Sequence, residues 1–240
     1  MMIATAALTQ PPPWRCTSDA CVEVERRRAQ STSTYELPRL RISEELQRYF
    51  PNGSGVEVGV RRAKFSSALL ERWPGGSLTL VDPWGVNNPA YDENELHDHE
   101  SNYRAALAVA ARFGSRMRVL RMTSLEAAPR FADASLDFVY IDGDHSYAAV
   151  RVDLEQWWPK LRTGGLLMGD DYTLESERRM CFGDCKKTVD FGVTRAVAEF
   201  CARHRILPNL RYQGEWRYAD GPLSRNFVLQ KVGPADDRGA

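Results

Sequence analysis

The chain has 240 residues, of which 43% are hydrophobic and 27% are charged, a composition typical of globular proteins with one sizeable core. Lysine plus arginine and aspartate plus glutamate both number 32, so no net charge attracts nucleic acid or anionic lipid. No apolar run reaches the roughly 18 residues that a membrane-spanning helix requires. Nucleic-acid binding and membrane association are therefore not expected as main functions.

The N-terminal segment lacks a clear periodicity. Residues 1–35 mix proline, serine, threonine and charged residues, and we predict a flexible arm there. The start, MMIATAALTQPPPW, lacks the basic residues of a secretory signal, whereas RRRAQSTSTY leaves organellar targeting open. Five cysteines, an odd number, argue against a secreted disulfide framework, and Cys181 and Cys185 have no second pair at zinc-like spacing. We expect reduced thiols and a cytoplasmic location.

Hydrophobic periodicity predicts one domain over residues 36–234, followed by a short tail over 235–240. The predicted helices cover 38–50, 63–73, 100–114, 124–131, 146–161 and 189–204, and the predicted strands cover 55–60, 77–82, 116–122, 136–142, 164–171, 205–212 and 225–232. Strands that alternate with helices indicate an α/β fold: a mostly parallel seven-stranded sheet with helices on both faces. Ligands of such open sheets bind beyond the carboxyl ends of the strands.

The first two strands end in residues that suit a nucleoside. Glu57 and Gly59 end the first strand, and a glycine there lets the backbone approach a ligand, although Gly59 could also simply end the strand. Asp82 ends the second strand, where an acid can accept hydrogen bonds from both hydroxyls of a ribose. The glycines of a dinucleotide fingerprint are missing. This indicates an adenosine-containing cofactor without a pyrophosphate and disfavours a nicotinamide-dependent oxidoreductase.

Four segments together resemble the class I S-adenosylmethionine-dependent methyltransferases: VEVGVRRAKFS, LTLVDPW, LDFVYIDGDHSYAAVRVDLEQWWPKLRTGGLLMGDDY and FGVTRAVAEF. Within this group they are similar to the small-molecule O-methyltransferases that include macrocin O-methyltransferase. The resemblance covers about residues 55–228 and implies a Rossmann-like methyltransferase fold, S-adenosylmethionine as cofactor and the hydroxyl of a sugar or natural product as acceptor. Ala63 stands where the family usually has a second glycine.

The resemblance also implies a set of cofactor-binding residues. Asp82 would hold the ribose, and Ser124 would lie near the adenine. Ser124 could equally cap the short helix that follows it, and both roles can coexist. The full implied set is Glu57, Gly59, Val60, Ser66, Asp82, Ser124 and Asp142.

Acids and one histidine follow the fourth and fifth predicted strands. Asp142 ends the fourth strand, and Asp170 and Asp171 end the fifth. Neighbouring strands lie about 4.8 Å apart, so these carboxylates can converge on one hard cation such as Mg²⁺, as the resemblance also implies. Alternatively, Asp170 and Asp171 cap the loop after the strand. His145 is the candidate general base, with packing against the following helix as its structural alternative.

Other interpretations of the sequence stay open. The segment HDHE, residues 97–100, resembles a metal cluster but fits a loop over the substrate better. A hydroxylase or another activity on the same scaffold, or a non-catalytic S-adenosylmethionine-binding protein, remains an alternative because fold alone does not determine chemistry. The sequence does not name the acceptor, and it leaves a homo-oligomer open.

Overall fold

The computed structural model describes residues 37–86, 98–172, 179–182, 187–190, 192–206, 216–217, 223–224 and 226–231. These residues belong to one compact unit, Ser33–Ala240. The predicted arm, the predicted tail and most of the strand predicted over 205–212 lie outside the described residues. Among the helices that are described, none is both long and apolar enough to cross a membrane.

Helices and strands alternate along the described chain. The helices are α1 (Leu37–Tyr49), α2 (Lys64–Arg72), α3 (His99–Phe113), α4 (Ser124–Ala127), α5 (Tyr147–Trp157) and α6 (Val193–His204). The strands are β1 (Ser54–Val58), β2 (Ser77–Asp82), β3 (Met117–Arg121), β4 (Leu136–Ile141), β5 (Leu161–Gly169), β6 (Arg179–Phe182), β7 (Lys187–Asp190), β8 (Trp216–Arg217), β9 (Leu223–Ser224) and β10 (Phe227–Gln230).

Six of these strands form the central sheet, in the order β10-β5-β4-β1-β2-β3. Only β10 runs antiparallel, to β5, and the other pairs in this sheet are parallel. The predicted Rossmann-like α/β fold is confirmed, with six strands in the described sheet where the sequence predicted seven. Strands β6 and β7 form a separate antiparallel pair, as do β8 and β9.

The central strands are mostly apolar because helices cover both faces of the sheet. In β4, Val139 and Ile141 pack with apolar residues of α5 and α6, whereas Phe138 and Tyr140 pack with those of α1 and α2. This alternation assigns α4, α5 and α6 to one face and α1, α2 and α3 to the other. The sheet is therefore the rigid middle layer of the domain.

Two helix starts differ from the sequence-based prediction. The cap of α4 is Thr123, whose side chain and that of Glu126 bond each other's backbone N–H groups in a capping box, so Ser124 is not the cap. The helix predicted over 189–204 begins only at Val193, because residues 187–190 pair with β6 as a strand. Gly192 separates the two elements and packs so closely on Tyr147 that an added Cβ would lie 2.1 Å from its backbone nitrogen.

Candidate active site at the carboxyl edge of the sheet

The carboxyl ends of the parallel strands lie side by side. Val58 at the end of β1 pairs with Val81 on one side and with Ile141 on the other, and Ile141 pairs with Gly169. Asp82, Asp142 and Asp170 stand at or directly after the ends of β2, β4 and β5. We call this side of the sheet the carboxyl edge. It is the position at which open α/β sheets bind ligands.

Gly59 follows β1, at a position where the backbone conformation and the close packing both require a glycine. Its φ is +85°, and an added Cβ would lie 2.0 Å from the carbonyl oxygen of Asp142. Its N–H donates to the carbonyl of Val81 at 2.9 Å. The close approach that the sequence indicated at Gly59 is therefore an approach of the loop between β4 and α5. Any contact with a cofactor comes in addition to it.

Asp82 organises the turn after β1. Its Oδ2 accepts the backbone N–H groups of Val60 and Arg61, both at 2.9 Å, and its Oδ1 accepts that of Trp84 at 2.7 Å. Burial raises the pKa of Asp82 above its ordinary value, and the three backbone donors only partly offset this. A carboxylate offers about four acceptor positions, and three are used. Among the described residues, these three donors leave about one acceptor position of Asp82 open, and the binding of ribose hydroxyls there stays a prediction.

Glu57 and Ser66 lie beneath this turn and bond to each other. The hydroxyl of Ser66 in α2 donates to Oε2 of Glu57 in β1, and both residues are almost fully buried. The turn between them passes through Ala63, whose φ of 56° is left-handed, a conformation that glycine adopts most easily. The position at which the family usually has its second glycine thus has the backbone shape of a glycine.

Ser124 lies at the start of α4, beyond the end of β3. Its hydroxyl donates to Oδ1 of Asp153 at 2.5 Å and accepts the indole N–H of Trp157 at 2.8 Å. Burial raises the pKa of Asp153 to about 7, although the Ser124 hydrogen bond opposes that rise. Asp153 is not among the site residues predicted from the sequence. Its spacing to Val150, Leu154 and Trp157 marks the buried stripe of a helix, and an acid on such a stripe was the available signal.

The remaining predicted residues meet at one corner. His145 Nε2 lies 2.7 Å from Asp171 Oδ2 and 3.6 Å from Asp142 Oδ1. The ligand atoms of Asp142, His145 and Asp171 all lie within 4.8 Å of one another, and we call these three residues the acid–histidine corner. Asp170 is not part of it: its Oδ1 accepts the N–H of Asp171, whose φ of 57° turns that residue toward His145.

Several solved structures have a fold similar to that of this chain. An O-methyltransferase of Bacillus cereus, in complex with S-adenosylhomocysteine, superposes with a TM-score of 0.56 at 16% identity over 88% of this chain and 90% of that one. TomG is an O-methyltransferase of Streptomyces achromogenes, solved in complex with S-adenosylmethionine. It superposes with a TM-score of 0.54 at 15% identity, over 83% of this chain and 82% of TomG. A third structure is the 1,6-didemethyltoxoflavin-N1-methyltransferase of Burkholderia thailandensis, with bound 1,6-didemethyltoxoflavin and S-adenosylhomocysteine. It superposes with a TM-score of 0.55 at 16% identity, over 89% of this chain and 87% of that one. At such identities these likenesses show the fold.

The sequence itself matches a known family over the core of the domain. Residues 55–172 match the family described as a methyltransferase domain. This match, which covers just under half of the chain, identifies the segment as similar to a methyltransferase domain. A curated relative, the uncharacterized protein y4gI of Sinorhizobium fredii (strain NBRC 101917 / NGR234), is 32% identical over 175 residues, which are 72% of this chain and 18% of that protein. The chain thus spans less than a fifth of the length of this relative.

The acid–histidine corner has the chemistry of a cation site. Burial disfavours a charged imidazole, but the carboxylates of Asp171 and Asp142 outweigh this and raise the pKa of His145 well above its ordinary value. Two carboxylates that hold a proton on a buried ring favour positive charge at this point. Their oxygens suit a hard divalent cation, and a histidine nitrogen suits a transition metal better than Mg²⁺. The residues of the corner therefore fit a divalent cation.

The backbone around the corner is held from both sides. The N–H of Ser146 bonds to Oδ1 of Asp144 at 2.8 Å, which shapes the turn into α5. The N–H of Gly192 donates to the carbonyl of His145 at 2.8 Å and so ties the start of α6 to the corner. Asp144, to which the sequence analysis gave no role, is thus a turn residue. The position of His145 depends on α5 and α6 together.

Proposed function

We propose that the domain transfers the methyl group of S-adenosylmethionine to a hydroxyl of a small molecule, of the sugar or natural-product type, at the acid–histidine corner. The observation that carries the proposal is the position of His145. It lies 2.7 Å from Asp171 at the carboxyl edge, in a domain whose residues 55–172 match a methyltransferase domain. An imidazole there can receive the proton that a hydroxyl must lose when it attacks a sulfonium methyl group.

The cofactor would lie across the ends of β1, β2 and β3. Four residues would shape the methionine end of the site: Glu57 in β1, Gly59 and Val60 in the turn that follows, and Ser66 in α2. Asp82 would offer its remaining acceptor position to a ribose hydroxyl, and Ser124 would border the base. The sulfonium would then lie near the ends of β1 and β4, where Asp142 begins the loop that carries His145.

Asp142 and Asp171 are the proposed cation ligands, and Mg²⁺ is the proposed ion. Asp170 was assigned to the same ion from the sequence and stays a predicted ligand, with the additional role of fixing the backbone of Asp171. A bound divalent cation would lower the pKa of a coordinated hydroxyl and offset the carboxylate charge that raises the pKa of His145.

In the proposed reaction the acceptor oxygen attacks the methyl carbon, and the carbon–sulfur bond breaks as the oxygen–carbon bond forms. The proton of the hydroxyl goes to the imidazole of His145, which must be neutral at that moment, so the charge of Asp142 and Asp171 that favours its protonated form must be offset first. The leaving group is neutral S-adenosylhomocysteine. A cytoplasmic location and a homo-oligomeric state remain expectations from the sequence.

Two binding measurements test the proposal without knowledge of the acceptor. Calorimetry should show binding of S-adenosylhomocysteine, and no detectable binding at millimolar ligand would contradict the cofactor assignment. Mn²⁺, followed by its electron paramagnetic resonance signal, should bind to the wild type, and Asp171→Asn should weaken this binding at least about tenfold. The matched control is Asp133→Asn, which changes an acid that is 70% exposed and paired with Lys160. Equal Mn²⁺ binding by all three proteins would contradict the metal assignment.

Turnover distinguishes the alternatives. A methyltransferase produces S-adenosylhomocysteine in step with methylated product, and nuclear magnetic resonance shows whether the new methyl group is on oxygen or nitrogen. EDTA should abolish turnover and Mg²⁺ should restore it. A hydroxylase would oxidise the acceptor without consuming S-adenosylmethionine. A non-catalytic protein would bind the cofactor and leave it intact with every acceptor supplied.

A further inference from the structure

We propose that Asp153 determines which purine the cofactor site accepts, by fixing the Ser124 hydroxyl so that it offers a hydrogen-bond acceptor and no donor. In this state Ser124 pairs with the 6-amino group of adenine and rejects a 6-oxo purine. Asp153 is then a positioning residue that acts through Ser124. The inference rests on the proposed function, because it assumes that the cofactor base borders Ser124.

The contacts of Ser124 carry the first step. A serine hydroxyl has one proton to donate and two lone pairs that accept. The proton is committed to Oδ1 of Asp153 at 2.5 Å, and one lone pair accepts the indole N–H of Trp157 at 2.8 Å. Among the described residues no further bond to the Ser124 hydroxyl is observed, so one lone pair remains. What Ser124 can offer to a ligand is therefore an acceptor.

The burial of the two partners carries the second step. Trp157 is fully buried, and Asp153 is 6% exposed, whereas Ser124 is partly exposed. Both committed bonds thus point into the layer between α4, α5 and the sheet. Since Ser124 is partly exposed, a ligand can reach the remaining lone pair from the exposed side of the residue. Because α4 begins just beyond the end of β3, this is the side of the carboxyl edge.

The order of the strands carries the third step. Strand β2 lies between β1 and β3, and Asp82 in β2 pairs with Arg121 at the end of β3. A nucleoside whose ribose is held at Asp82, with its 5′ side toward β1, extends its base toward β3. The first residues beyond β3 are Met122, Thr123 and Ser124, and the side chain of Thr123 is committed to the capping box with Glu126. Ser124 is left as the polar side chain that can contact the edge of the base.

The experiment compares two ligands whose bases differ at the 6-substituent and in the proton that the oxo form carries on N1. Dissociation constants are measured by calorimetry for S-adenosylhomocysteine and for S-inosylhomocysteine, in which an oxo group replaces the 6-amino group. The measurement is made at pH 8.5, above the pKa of about 7 that burial gives Asp153. The wild type should prefer the amino ligand at least about tenfold, because the oxo group would face a lone pair without a proton between them.

The variants separate positioning from packing. Asp153→Leu keeps the size but removes the acceptor, so the Ser124 proton is released and the preference should fall below about threefold. Asp153→Asn keeps a carbonyl oxygen that accepts from Ser124 and should retain the preference. Ser124→Ala should lose it. Glu155→Gln changes an exposed acid of the same helix, paired with Arg203, and should leave both dissociation constants unchanged.

The outcomes are distinct. Loss of preference in Ser124→Ala and Asp153→Leu with its retention in Asp153→Asn supports the proposal. If Asp153→Leu does not fold by circular dichroism, Ser124→Ala and Asp153→Asn decide. An equal weakening of both ligands indicates a merely structural role and overturns the inference, as does equal binding of both ligands by the wild type. Failure of the wild type to bind S-adenosylhomocysteine overturns the proposed function and this inference with it.

Discussion

The two ends of the central sheet use charged residues in opposite ways. At the amino edge, where the parallel strands begin, cations bind backbone carbonyls. Arg116 donates to the carbonyls of Leu70, Trp73 and Gly76 at 2.9, 2.6 and 2.9 Å, and thereby closes the carboxyl end of α2 and the turn after it. The last carbonyls of a helix lack partners within the helix, so a cation there stabilises the fold.

Lys231 does the same on the other face of the sheet. Its ammonium group donates to the carbonyls of Trp158, Pro159 and Leu161 at 3.1, 3.3 and 2.6 Å, where α5 ends and β5 begins. Asp137, at the start of β4, pairs with Arg162 and accepts the N–H of Ser54. Each of these charges has an opposite charge or dipole beside it.

The carboxyl edge has the reverse balance. Asp142 and Asp171 share one imidazole, and Asp82 sits at the same edge with its carboxylate bound by backbone N–H groups. Of the six described non-glycine residues with positive φ, four lie here, namely Arg61, Ala63, Trp84 and Asp171. Strained backbone conformations cost stability, and they concentrate at sites where the surrounding structure must hold a functional geometry. The amino edge stabilises the sheet, and the carboxyl edge carries the residues that we propose bind the cofactor and the cation.

The largest expected effect on the free energy of unfolding is at Gly59. It tests whether close packing, in addition to a left-handed φ, makes a glycine necessary at the carboxyl edge. Gly59 and Gly164 have the same φ of +85°, one at each edge. An added Cβ at Gly59 would lie 2.0 Å from a carbonyl oxygen, whereas at Gly164 nothing lies within 4 Å. Gly59→Ala should lower the free energy of unfolding by more than about 4 kcal/mol, or prevent folding.

The matched control is Gly164→Ala. It carries the left-handed penalty alone, about 1 kcal/mol. Urea denaturation of both variants measures the difference. Losses of similar size in the two variants would contradict a role for the packing of Gly59 on the loop after β4.

Features that depend on neighbouring residues in the sequence could be predicted, whereas contacts between residues distant in the sequence could not. The six strands of the central sheet and most helices follow from local patterns, whereas β6 to β9 were not predicted. The rule that parallel strands share an edge predicted that Asp82, Asp142 and Asp171 lie at one edge. Partners distant in sequence were not predicted. The bond of Ser124 to Asp153 spans 29 residues, and which of two neighbouring acids turns toward His145 depends on one φ angle, that of Asp171. The apolar stripe of α5 marks Asp153 as buried, but the sequence shows neither its partner nor the φ angle of Asp171.

A second prediction concerns the stability that the protein loses when the buried Asp153 ionises. The pKa of Asp153 rises from 3.8 to about 7 on folding, so the folded protein holds a proton there that the unfolded chain releases. Stability from this group is therefore greatest at low pH and is lost as the pH rises toward 7. Asp153→Asn removes the titration. Relative to wild type, this variant should gain roughly 2–3 kcal/mol in unfolding free energy between pH 5 and pH 8.

Urea unfolding of both proteins at each pH gives this difference, and contributions of other groups cancel between them. Glu155→Gln, on the surface of the same helix, should show a smaller change because water solvates its charge. A difference between wild type and Asp153→Asn that stays constant with pH would show that burial of this acid costs no stability.

The smallest expected effect is at Lys231 and tests the amino edge. Lys231→Met keeps the aliphatic stem but leaves three carbonyls without their cation, and it should cost about 1–2 kcal/mol of unfolding free energy. Lys160→Met is the control, because Lys160 pairs with an Asp133 that is 70% exposed, and such pairs contribute about 0–1 kcal/mol. Binding of S-adenosylhomocysteine should be unchanged in both variants. If Lys231→Met weakened that binding without lowering stability, the division between a stabilising edge and a binding edge would be wrong, because a residue at the far end of the sheet would then act on the site itself.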